Sequence, residues 1–222
     1  MRTDLPPGWP TTIAEARALQ ERLCDEVVTT GGPEAPGLIA GVDVHVAERT
    51  GLTWAAVALV DGSGLELVES ALAAVPTGFP YVPGYLSFRE IPAVLAALSL
   101  LDRAPDLVMV DGQGIAHPRR LGIAAHLGVL LDVPTIGVAK SRLIGQHDEP
   151  ACTKGSRVPL THKGEIIGAV VRTRDGVSPL YVSVGHRIGL ERAVELVLAT
   201  TTRWRLPEPT RLADKLSRMH PV

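Results

Sequence analysis

The chain has 222 residues and a mass of 23.5 kDa, with 45% hydrophobic and 21% charged residues. That length favours a single domain spanning 1–222, with a core that buries roughly 70% of the unfolded surface. No apolar run approaches a membrane span, and the N-terminus has no basic-then-apolar leader pattern. Two cysteines, Cys24 and Cys152, exclude a disulfide framework and a cysteine zinc site, and they point to a reducing cytoplasmic compartment. The net charge of −2 argues against a generic polyanion binder, yet residues 1–139 carry −8 and residues 140–222 carry +6. Such a split suits one part that holds cations and another that holds phosphates, or simply two solvated faces.

The first element reads as a helix near 12–30, opened by a Thr12/Glu15 capping box and stopped at Gly31-Gly32. Strands follow at 38–46, 52–60 and 65–75, the last two joined through Asp61-Gly62-Ser63-Gly64. After a loop over 76–86, a helix is expected near 87–103. Strand 107–111 leads to a helix near 118–131, with Pro118 at its first position. Strand 135–139 comes next, then a loop over 145–160. Two strands flank a Lys163-Gly164 turn. Helices near 189–203 and 209–219 complete the chain. Antiparallel strands followed by alternating helix and strand predict an α/β fold with a mixed sheet flanked by helices.

The informative residues are acids inside apolar strands. Asp43 shares one face of its strand with Ile39, Gly41 and His45. A carboxylate there is costly unless it is paired, protonated or metal-bound. Asp111 closes an apolar strand, where ligands gather in open α/β sheets, although Asp-Gly is also a common turn. Glu90 either completes a capping box with Ser87 or turns outward to a metal. His117-Pro118-Arg119-Arg120 at a helix start suits a phosphate, or is a solvated helix end. Lys140 ends a further strand. Acids and bases gathered at strand ends are what metal-assisted phosphoryl chemistry requires. The chain lacks a phosphate-binding G-x-x-x-x-G-K-[ST] loop and a G-x-S-x-G nucleophile elbow.

Several segments together resemble the endonuclease V family. They are Gly41-Val42-Asp43, the stretch 80–90 (PYVPGYLSFRE), the stretch 111–119 (DGQGIAHPR), Gly137-Val138-Ala139-Lys140-Ser141, and the stretch 209–214 (PTRLAD). The resemblance runs along nearly the whole chain. It implies an RNase H-like fold with a mixed five-stranded central sheet. It implies a Mg²⁺-dependent endonuclease, with Mn²⁺ as an alternative, that acts on deoxyinosine in DNA. The cut falls at the second phosphodiester bond 3′ to the lesion and leaves 3′-hydroxyl and 5′-phosphate ends. Asp43 and Asp111 become the principal metal ligands and Glu90 the third acidic site residue. Lys140 lies near the scissile phosphate, and Tyr81 is the tip of a wedge that replaces the extruded base. Gly84, Leu86, Gly112 and Ile123 line the hypoxanthine pocket. Asp214 is a direct or water-mediated metal ligand at a position where some members carry His.

His117 and Arg119 are expected as phosphate contacts, with packing behind the site as the alternative for His117. The partner is inosine-containing DNA, with inosine-containing RNA as an alternative substrate. No membrane partner is expected, and the chain is expected to act as a monomer. A non-catalytic nucleic-acid binder on the same fold is the reading from a different class, and the Asp43/Glu90/Asp111 set argues against it.

Overall fold

A computed structural model describes residues 3–219. Long apolar runs with β-branched residues form an eight-stranded sheet. Its strands in chain order are β1 (Leu38–Ala47), β2 (Leu52–Asp61), β3 (Leu67–Pro76), β4 (Leu107–Val110), β5 (Thr135–Ala139), β6 (Arg157–His162), β7 (Glu165–Val171) and β8 (Leu180–His186). The spatial order is β3-β2-β1-β4-β5-β8-β7-β6. Only the β1–β4 and β4–β5 pairings are parallel. The helices are α1 (Ile13–Leu23), α2 (Leu86–Leu98), α3 (Ile123–Leu131), α4 (Leu190–Ala199) and α5 (Glu208–Ser217).

The α/β class and the mixed sheet agree with the sequence reading, but the sheet has eight strands rather than five. The difference comes from β8, which the sequence reading omits. β8 pairs antiparallel with both β5 and β7 and so joins the β6–β7 hairpin to the sheet. That hairpin turns on Lys163 and Gly164, at φ 55° and 82°, the two positive values of a type I′ turn. The β2–β3 turn is held by Asp61, whose carboxylate accepts from the amides of Ser63 and Gly64 at 2.9 and 2.7 Å.

Helices cover both faces. α2 and α3 pack with Ala40, Val42, Val57, Leu59, Val108 and Val110 into one core. α4 packs on the opposite face with Ile39, Leu107, Met109, Ile136, Val138 and Val182. α5 also lies on that second face, directly over β1. A β-carbon on Gly41 would sit 2.0 Å from the carbonyl group of Pro209, so only glycine permits this contact.

Two helix boundaries depart from expectation. α1 opens with the expected Thr12/Glu15 capping box but ends at Leu23, followed by a 3₁₀ turn over Cys24–Glu26. The β-branched run Val27-Val28-Thr29-Thr30 that follows is poor helix material. α3 starts at Ile123, not at Pro118. Arg120 adopts φ 56° and Gly122 is extended, so residues 117–122 form a turn.

Candidate active site

Strand parity brings the polar side chains together. Asp43 continues the face that carries Ile39 and Gly41, Asp111 continues Leu107 and Met109, and Lys140 continues Ile136 and Val138. β1, β4 and β5 are neighbours, so the three residues emerge at one end of one face. α5 crosses that face and brings Asp214 and Ser217, which are one helical turn apart. Carboxylate oxygens of Asp43, Asp111 and Asp214 lie within 4.8 Å of one another.

The cluster carries more negative charge than its surroundings balance. Lys140 Nζ reaches Asp111 at 2.5 Å and Asp214 at 2.8 Å. Arg218 pairs with Asp214 at 2.9 Å. Burial alone would lower the Lys140 pKa, but its two carboxylate partners outweigh this and hold it above its ordinary value. Burial likewise acts to raise Asp214, and Lys140 and Arg218 reverse the effect and leave it lowered. Among the described residues Asp43 forms no ion pair, although the Lys140 charge acts on it from a distance. Ser217 Oγ donates to its Oδ2 at 2.5 Å. Burial, aided by the nearby Asp111 charge, still pushes Asp43 up to about 6 against the lowering effect of Ser217.

Glu90 comes from the second turn of α2. It does not cap that helix, because Tyr85 is the cap residue and Ser87 Oγ instead meets the ring of His126 at 3.1 Å. Burial pushes Glu90 up to about 8, with further repulsion from Asp43 and Asp111. Four carboxyls, two of them raised, form a donor set of hard oxygens that a divalent cation would relieve.

A cavity of about 410 Å³ opens beside the cluster. Glu90, Asp111 and Lys140 line it, as do Gly84, Leu86, Gly112 and Ile123. Gly112 is required here, since a β-carbon would come within 2.6 Å of Ile123 Cγ2. Tyr81 stands on the rim, 67% exposed, while Phe79, Tyr85 and Phe88 pack beneath the loop with Ala16.

His117 and Arg119, expected as phosphate contacts, make bonds within the protein. His117 Nε2, Arg119 Nη2 and Gln20 Nε2 all bond to the Gly84 carbonyl, at 3.1, 2.6 and 3.0 Å. Arg119 also lies over the Tyr85 ring, 4.2 Å from its centre. Burial pulls His117 down to about 4, so it is neutral and brings no positive charge. Both residues are occupied in fixing the loop that carries Tyr81.

The family model for endonuclease V matches residues 21–215. The chain belongs to the endonuclease V family. It is 57% identical over 213 residues to the endonuclease V of Trichormus variabilis, covering 96% of each chain. The endonuclease V structure from Streptomyces avermitilis superposes with a TM-score of 0.92 at 45% identity, covering 98% of this chain and 96% of that one. The Ciona intestinalis endonuclease V was crystallised with a 24-mer DNA containing an inosine followed by a ribo-adenosine. It matches with a TM-score of 0.81 at 30% identity, covering 93% and 96% of the two chains. Within this endonuclease V site, sequence reasoning missed Ser217 and Gln20. Ser217 was within reach, because its spacing of three from Asp214 places both on one helix face. Gln20 carries no local signal, since its partners Gly84 and Arg119 are distant in the chain.

Proposed function

We propose that this chain is a deoxyinosine-directed DNA repair endonuclease. It hydrolyses the second phosphodiester bond 3′ to the hypoxanthine nucleotide and leaves 3′-hydroxyl and 5′-phosphate ends. The observation that carries this reading is the cavity beside the acidic cluster. A hollow of about 410 Å³ takes one flipped base, and the same hollow is lined by Glu90, Asp111 and Lys140.

Asp43 and Asp111 would hold Mg²⁺, or Mn²⁺ in its place, with Glu90 and Asp214 completing the acidic set. When bound, the cation supplies Lewis acidity to the phosphoryl oxygen and acidifies a water molecule. Lys140 offsets the charge that grows on the phosphate. Gly84, Leu86, Gly112 and Ile123 wall the base pocket, and Tyr81 fills the space that the base leaves in the stack. His117 and Arg119 hold the wedge loop. One chain contains the whole cluster and cavity, which fits a monomer. Free Cys24 and Cys152 fit a reducing cytoplasm. Among the described residues, no helix is long and apolar enough to cross a membrane.

The Ciona relative's oligonucleotide carries a ribo-adenosine after the inosine. This favours inosine-containing RNA as a second substrate. The test is Mg²⁺-dependent nicking of matched DNA and RNA strands, each with one inosine, with the new ends mapped. Cleavage one nucleotide beyond inosine in DNA, absent from an adenosine control, is the expected result. Binding without cleavage of either strand would leave a nucleic-acid binder.

A further inference from the structure

A second hollow, of about 580 Å³, adjoins the active site. It shares Lys140, Ser141 and Arg142 with the base cavity and extends away past Ser178, Tyr181 and Arg205. Its walls carry four cations, Lys140, Arg142, Arg172 and Arg205, against one acid, Glu149. Glu149 is already paired with Arg172 at 2.7 Å. Lys140 is committed to Asp111 and Asp214. Arg142 is exposed and, among the described residues, makes no ion pair or hydrogen bond. Arg205 donates to the carbonyls of Lys140 and Pro179 at 2.9 and 2.8 Å and, among the described residues, forms no ion pair.

We propose that this groove is the subsite for the sugar-phosphate of the nucleotides that follow the cut. The ligand class is single-stranded nucleic-acid backbone on the 5′-phosphate side of the scissile bond. Two guanidinium groups without an ion pair beside Lys140 suit successive phosphates, since arginine binds phosphate with paired donors. Continuity supports the direction. The base cavity receives inosine and Lys140 lies between the two hollows, so a strand leaving Lys140 away from the base enters this groove. Arg205 also anchors the backbone of Lys140, so occupancy of the groove and placement of the lysine are linked. The inference rests on the reading above, in particular on the position of the cut.

The test uses inosine strands that end one or ten nucleotides beyond the scissile bond. Wild type should cut both at the same bond, with KM roughly three- to tenfold lower on the long strand. Arg142→Ala should lose that advantage. Ser178→Glu, which adds a negative charge at a residue lining only the second hollow, should do the same. Equal KM on both strands for wild type would overturn the subsite. So would a loss in Arg142→Ala of the same size on both strands, because that would place Arg142 at the base or the cut. Failure of wild type to cut either strand would instead defeat the activity itself. A melting curve for each variant separates misfolding from lost binding.

Discussion

Ser217 donates a hydrogen bond of 2.5 Å to Asp43, across a sequence separation of 174. It joins the C-terminal helix to a central strand at the most electrostatically strained acid of the cluster. The bond favours the charged carboxylate and opposes the effect of burial.

Ser217→Ala should therefore raise the Asp43 pKa further. A hydrogen bond to a charged group contributes about 1.5–3 kcal/mol, so the acidic limb of the pH–rate profile should move up by about one to two units. The rate on the alkaline side should change little. A profile superimposable on wild type would show that Asp43 titration does not limit the reaction.

Asp43 illustrates a conflict between function and stability. At pH 8 its charge is held where burial opposes it, at an order-of-magnitude cost of a few kcal/mol. Asp43→Asn should abolish nicking yet melt at the same or higher temperature in metal-free buffer. Asp111→Ala should also abolish nicking while inosine-DNA binding persists. Thermal melts and single-turnover assays of the two variants check both halves.

Glu90 and His126 impose opposite pH dependences on stability. Glu90 has a folded pKa of about 8 against 4.5 ordinarily, so its contribution is intact below 4.5 and is lost as pH rises towards 8. Glu90→Gln lacks this loss and should gain on wild type by about 1.4 kcal/mol per pH unit across that window. His126 is fully buried and pulled down to about 3, first by burial and then by His117. It favours the neutral form, so stability is full above pH 6.5 and falls as pH drops from there towards 3. His126→Gln should flatten the acidic side and Glu90→Gln the neutral side. Denaturant titrations without metal, from pH 5 to 8, should resolve the two slopes.

Tyr81 is exposed at the cavity rim and its ring is absent from the cluster beneath the loop. Tyr81→Ala should leave Tm unchanged and weaken binding to inosine duplexes by roughly 1–3 kcal/mol, the scale of base–aromatic stacking. Single strands should suffer less, having no neighbouring stack to restore. Equal losses on the two substrates would remove the wedge.

Arg119 makes the contrasting case. Its bonds to Gly84 and Gln20 and its contact with Tyr85 are internal. Arg119→Ala should cost about 2 kcal/mol and lower Tm by roughly 4–8 °C. The slope of log affinity against log salt should stay the same, whereas loss of a phosphate contact would reduce it by about one unit.

Much of this site was legible because strand parity is a strong constraint. Asp43 sits on the Ile39–Gly41 face in sequence and in space, and β1, β4 and β5 read correctly as buried runs. The errors came from interactions that local sequence does not encode. Pro118 shortly before an apolar run suits a helix start, and nothing nearby announces the left-handed Arg120. Ser87 and Glu90 have capping spacing, but the Ser87 hydroxyl is taken by His126 on a different helix. β8 was missed because Ser183 and Gly185 interrupt its apolar run. Both are demanded by neighbours: Ser183 accepts from the Gly114 amide at 2.8 Å, and a β-carbon on Gly185 would lie 2.1 Å from Thr135 Oγ1.

The backbone contact of Gly41 with Pro209 also has a kinetic meaning. The acids reside on β1, α2, β4 and α5, so no contiguous segment of the chain holds a working centre. The docking of α5 against β1 closes a loop of more than 160 residues, the kind of distant contact that forms slowly. Recovery of nicking during refolding should lag behind recovery of helical signal. An immature chain, with its sheet built and α5 still undocked, would lack Asp214 and Ser217 at the centre.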